Sequence, residues 1–276
     1  LRGLKYARIT LYSAIIVSIS NVVFSLFFGL FLGYGASGIG FASSVAFFIA
    51  SIYSVTVLKK QQSHLNVSYE DVDKASMRRK FFSVGSYIVI RSLFLTLFFA
   101  YIRNRAALMS MDEIALQHIL LQLWSVGYIF VDAVAIAAQT LIAELISKKE
   151  KYQNSVLQKE LISVTTIISL ILSVIPLIFL ESFIEIFTGD RFDLFVDFRL
   201  KVMVSISLLI GCFAFLWDGV LLGLDKSKEF SLLSILSATA GFLICSYLLM
   251  YQNTIEILWV SINVSLAVRA VLGYLY

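Results

Sequence analysis

Eight stretches of this sequence stay apolar for about 20 residues or more, the length at which a helix crosses a hydrocarbon core roughly 30 Å thick. They run approximately over residues 9–33, 38–58, 81–102, 114–146, 160–180, 201–224, 230–251 and 255–275. Such windows leave little room for the polar alternation of a water-soluble domain. The composition agrees: 59% of residues are hydrophobic and 14% charged, where soluble domains carry about 25% charged residues. In hydrocarbon the backbone must satisfy its own hydrogen bonds, so the spans are helices. The fold class predicted is an all-α integral membrane protein with eight transmembrane helices, in contact with a lipid bilayer.

The loops give the direction. With the first residue on the cytoplasmic side, 15 of the 22 lysines and arginines fall in cytoplasmic segments and five in external ones, while Arg91 and Arg269 lie within spans. That asymmetry predicts both ends of the chain inside. The net charge of +4 is then a topology signal, and no nucleic-acid partner is expected. The opening LRGLKYARIT reads as the end of a loop entering a helix, as though the chain began in mid-protein.

The longest polar segment, KKQQSHLNVSYEDVDKASMRRK at residues 59–80, is the expected linker between two bundles. Its acids Glu70, Asp71 and Asp73 read as solvated, as do Asp190, Asp193 and Asp197, which suggest one wet face of a short surface helix. Asn66 and Ser68 match a glycosylation acceptor, but on the cytoplasmic side. Cys212 and Cys245 lie in apolar stretches and read as small packing residues. A short internal similarity pairs LRGLKYAR at 1–8 with LLGLDKSK at 221–228, each leading into a helix pair. It points to two bundles of six, with spans one and two equivalent to spans seven and eight.

The polar residues inside the spans carry the chemistry. Arg91 sits about 15 Å into its span at 1.5 Å per residue, where an arginine costs about 2.5–3.5 kcal/mol on insertion scales. It requires an acid. Asp132 lies mid-span, and steps of seven join it to His118, Ser125 and Gln139 on one stripe. In the sixth span Ser207, Gly211, Ala214 and Asp218 share a face. The expectation is that Arg91 is held by Asp132, with Asp218 as the second acid of a shared network. Arg269 and Glu256 are read as lying near the ends of the last span, able to snorkel and without chemistry. His118 is read as interfacial. Ser18, Asn21 and Ser25 share a face of the first span, and Gly35, Gly38 and Gly40 allow close helix contact in the second. No metal-ligand spacing, nucleophilic triad or phosphate loop occurs, so no enzyme and no cofactor are expected.

These residues resemble a known family. IRSLFLTLFFAYIRNRAALMSMDEIALQHILLQLWSVGYIFVDAVAIAAQTLIAEL resembles the seventh and eighth helices of the multidrug and toxic compound extrusion (MATE) transporters, in the branch of the DNA-damage-inducible bacterial proteins and their plastid relatives. FLWDGVLLGLDKSKEF resembles the tenth helix and following loop of that branch, and LRGLKYARITLYSAIIVSISNVVFSLFFGLFLGYGASGIGFASS its fifth and sixth helices. The resemblance implies a twelve-helix antiporter in two lobes, here without its first four helices. Residues 1–58 would be the last two helices of the N-terminal lobe, 59–80 the cytoplasmic linker, and 81–276 the C-terminal six-helix lobe. The transport and cation-coupling candidates it implies are Arg91, Asp132, Gln139, Asp218 and Asn21. Ser25 stands where the family often has an aspartate, Ser43 where it has a threonine, and Gln117-His118 reverses a family order.

The function implied is export of an organic or amphipathic small molecule in exchange for H+ or Na+, by a monomer in a bacterial inner membrane or plastid envelope. A lipid-linked oligosaccharide flippase of the same superfamily predicts a more cationic cavity. A membrane-embedded transferase and a structural or docking role are the remaining alternatives.

Overall fold

The computed structural model describes residues 7–62, 73–148, 151–188 and 197–276. Eight helices among them are long and apolar enough to cross a membrane, and the chain is a multi-pass membrane protein. They are α1 (Ala7–Phe24, continued by a π-helical turn Ser25–Phe31), α2 (Gly35–Gln62), α3 (Lys74–Ala106), α4 (Met111–Lys148), α5 (Lys151–Thr188), α6 (Phe198–Gly223), α7 (Ser227–Leu248) and α8 (Ile255–Leu275). Each expected span is present. Several helices overrun the apolar windows: α3 begins seven residues before its window and α5 ends eight after. Hydropathy marks only the part that meets hydrocarbon, whereas the helical hydrogen-bond ladder continues into polar sequence such as KASMRRK.

The chain forms two compact units, residues 1–74 and 75–276. In the first, α1 and its π turn pack on α2. Gly38 permits this approach, because a Cβ there would sit 2.6 Å from the Phe28 carbonyl oxygen. In the second unit α6 is the central helix, packed by α4, α5 and α8, with α7 against α8. Small residues set the α4–α6 distance: a Cβ at Gly219 would collide with the Ala135 carbonyl, and one at Gly223 would lie 2.9 Å from that of Gln139. Close backbone approach of this kind drives helix association in lipid, where the hydrophobic effect between helices is absent.

The outward surface is apolar, with Phe31, Phe48, Ile178 and Leu243 among the exposed side chains. Several buried hydroxyls bond back to their own helices, as Thr165 donates to the Leu161 carbonyl and Ser237 to that of Ser234. Both cysteines are free and buried. Asp197 is exposed, as expected, and is the N-cap of α6, its carboxylate accepting from the Arg199 N–H at 3.2 Å. The other acids of that group, Asp190 and Asp193, lie outside the described residues, as do Glu70, Asp71, Asn66, Ser68 and the start of the internal similarity at 1–6.

Candidate functional site

The polar centre of the second unit gathers on Asp218. Asp218 is carried into the interior of α6 on the buried face of Ser207, Gly211 and Ala214 and is itself only 7% exposed. Its Oδ1 accepts from Arg269 Nε at 3.0 Å, and its Oδ2 is ion-paired with Arg269 Nη2. Arg91 Nη2 reaches the same Oδ2 at 3.4 Å. Arg91 Nε donates to Ser234 Oγ at 3.0 Å, and its guanidinium carbon lies 4.3 Å from the centre of the Phe230 ring. The Arg269 guanidinium packs over Phe215 at 4.8 Å. One carboxylate on α6 thus holds cations from α3 and α8, and aromatic faces shield both cations.

Two expectations need correction. Arg91 is held by Asp218 and not by Asp132. Asp132 is exposed and makes no ion pair or hydrogen bond among the described residues, although it acts electrostatically on both Arg91 and Arg269. The geometric reason is that the buried face of α4 runs through Val131, Ala135, Ala138 and Ile142, and Asp132, one residue on from Val131, stands about 100° round the helix from that residue, at the edge of the packed face. His118 and Ser125 are exposed on that stripe too, and Gln139 is half-buried.

Arg269 is not a snorkelling end residue. It lies 14 residues into α8, about 21 Å along the axis, and is 4% exposed. A signal for it existed in the sequence. Ser261, Ser265 and Arg269 step by four and are all buried, the same small-polar stripe that singled out Asp218. Glu256 sits in the first turn of α8, where a carboxylate favours the positive end of the helix dipole.

The first unit has a neutral counterpart. Asn21 Nδ2 donates to Ser43 Oγ at 3.2 Å, and Ser25 Oγ donates to Asn21 Oδ1 at 3.0 Å. Ser25 is also the first residue of the π turn. The structure therefore brings Asn21, Ser25 and Ser43 together within one unit, and Arg91 and Asp218 within the other. Gln117, beside His118, is buried and accepts from Trp259 Nε1 at 3.0 Å, a link between α4 and α8. A separate groove of about 370 Å³ between α4, α5 and α6 is lined by Trp124, Phe130, Pro176 and other apolar residues; no charged side chain lines it.

No family model matches the chain. Two curated relatives align with almost all of it: DETOXIFICATION 44, chloroplastic, of Arabidopsis thaliana, 23% identical over 274 residues, and DNA damage-inducible protein F of Escherichia coli K12, 24% identical over 273. Those alignments cover 99% and 98% of this chain but 51% and 59% of the relatives. Among solved structures, a MATE transporter in the straight conformation superposes with a TM-score of 0.80 at 15% identity, over 96% of this chain and 60% of the other. In fold the chain is similar to MATE transporters. It spans about half to three fifths of the length of these relatives and of the MATE structure, and Asp218 with its two arginines lies within the matched part.

Proposed function

We propose that this chain is a MATE homologue and part of a secondary active transporter that exports organic or amphipathic compounds by alternating access, in exchange for H+ or Na+. Residues 81–276 act as the second lobe, 59–80 as the linker and 1–58 as the last two helices of the first lobe. The relatives' names and the shared fold support this reading. The observation that carries the mechanism is the unequal treatment of two acids.

Asp218 is saturated by two guanidiniums, and removing its charge would leave both uncompensated in a buried site. It is the fixed counter-charge. Asp132 is open, unpaired among the described residues, and within coulombic range of the same two arginines. An exchanging carboxylate has to be reachable and must not already be neutralised, and Asp132 meets both conditions. A proton or sodium ion and a cationic substrate compete for it, so occupancy by one disfavours the other. Gln139, two turns along the stripe, offers a neutral amide to the same occupant. Asn21, Ser25 and Ser43 offer neutral oxygens in the first unit.

The test is efflux from proteoliposomes under imposed proton or sodium gradients. Asp132→Asn is expected to abolish gradient-driven efflux while the protein still folds. Efflux from the unaltered protein that ignores both gradients would sink the reading. The second arginine favours one alternative, the lipid-linked oligosaccharide flippase, whose diphosphate needs cations. Asp218 and Asp132 offset those cations, which is why the exporter is preferred; movement of a lipid-linked diphosphate sugar without any ion gradient would reverse that choice.

A further inference from the structure

A second polar site lies away from the Asp218 centre, at the end of the second unit that carries the basic excess. There a cleft of about 390 Å³ opens between α3 and α7. Its upper limit is the bond from Ser231 Oγ to the Tyr87 carbonyl at 2.8 Å, and the Lys80–Asp225 ion pair lies at its mouth. Ser76, Ser83 and Ser227 line it, as do Arg79 and Lys228. Of the charges lining it, Lys80 and Asp225 neutralise each other, and Glu229 accepts from the Tyr276 hydroxyl at 3.2 Å. Arg79 and Lys228 are exposed and have no acidic partner among the described residues. Three basic side chains against the carboxylates of Asp225 and Glu229 leave the lining one positive charge in excess, and two cations without an acidic partner beside three serines are groups that a phosphate can use as donors.

Depth decides the source of the phosphate. Lys80 is 11 residues from Arg91 along α3, about 16 Å, so with Arg91 at the midplane the cleft lies at the edge of a hydrocarbon layer roughly 30 Å thick. Phe81 and Phe82 stand beside it, 74% and 67% exposed, at the level where aromatic side chains meet headgroups. We propose that this cleft binds the phosphate of an anionic phospholipid in the cytoplasmic leaflet, with Arg79 and Lys228 as its charge partners and the serine hydroxyls as donors. The chemistry matches basic pockets between transmembrane helices that hold acidic lipid heads.

The experiment compares the purified protein in nanodiscs of phosphatidylcholine alone and of phosphatidylcholine with phosphatidylglycerol, reading retained lipid by native mass spectrometry and the melting midpoint. Phosphatidylglycerol is expected to be retained and to raise the midpoint. At about 1 kcal/mol per basic residue near an acidic leaflet, the double variant Arg79→Gln/Lys228→Gln should lose roughly thirtyfold in preference. The charge-preserving Arg79→Lys/Lys228→Arg pair should keep most of it. Lys59→Gln/Lys159→Gln, which removes two cations elsewhere on the same side, should leave it unchanged. The proposal is overturned by an equal loss in that control, by an undiminished preference in the double variant, or by millimolar inorganic phosphate alone giving the same protection.

Discussion

The two units hold their intramembrane polar groups by different means. In the first, Asn21, Ser25 and Ser43 form a neutral trio joined by hydrogen bonds, and residues 9–58 contain no charged side chain at all. In the second, Asp218 binds Arg91 and Arg269. A neutral trio made of single hydrogen bonds, each worth about 1 kcal/mol net, is cheap to take apart. The ionic cluster is expensive to break by removing one member, because the others remain charged and buried. The contrast assigns fixed charge to the second unit and adaptable polarity to the first.

The largest effect should come from Asp218→Asn. It strands two guanidiniums, and a loss of about 3–5 kcal/mol is expected, read as a lowered thermal midpoint and poor yield of the purified protein. Adding Arg269→Met removes the more deeply buried of the stranded cations and should recover much of that loss. A midpoint unmoved by Asp218→Asn would mean that the ionic cluster is no sturdier than the neutral one.

Next in size is Ser25→Asp, which places a charge where the first unit has none. With no basic side chain in residues 9–58 to receive it, a cost of about 2.5–3.5 kcal/mol is expected. Membrane-inserted yield measures it. A well-inserted Ser25→Asp protein would show that the first unit can hold a charge, and the contrast between the units would fail.

The architecture was legible because hydropathy and helix length are coupled by bilayer thickness; all eight spans could be placed from sequence. Asp218 was legible from its small-polar stripe. The partnership was not. Arg91 could be assigned to Asp132 as readily as to Asp218, since both lie at useful depth and one-dimensional spacing does not show which helices touch. Which face of α4 is buried, the one through Val131, Ala135, Ala138 and Ile142, is a tertiary fact, and it leaves Asp132 at the edge of the packing. Arg269 reads as a snorkelling residue from its nearness to the end of its span, although its buried stripe with Ser261 and Ser265 carries the same signal as Asp218.

A smaller effect is expected from Asn21→Ala. It removes the amide shared by Ser25 and Ser43, and the two hydroxyls can turn to backbone carbonyls, as Ser43 already does toward Ile39 at 3.2 Å. A loss of about 1–2 kcal/mol follows from two net hydrogen bonds, measured by the thermal midpoint. Asn21→Gln, which keeps the amide but lengthens the reach, should recover only part of it. A loss as large as that of Asp218→Asn would show the neutral trio to be as rigid as the ionic one.

The smallest effect on the fold, and the most informative for function, belongs to Asp132→Asn. The side chain is exposed and unpaired among the described residues, so its stability change should stay within about 0.5 kcal/mol. Exchange is another matter, since the amide can neither take up a proton nor hold a cation by charge. Gradient-driven efflux should fall at least tenfold, about 1.4 kcal/mol in the coupled step, while the thermal midpoint stays put. That dissociation separates the acid that exchanges from the acid that only anchors, because Asp218→Asn should damage both readouts together. If Asp132→Asn instead lowered the midpoint as Asp218→Asn does and left efflux coupled in the surviving protein, the roles of the two carboxylates would have to be exchanged.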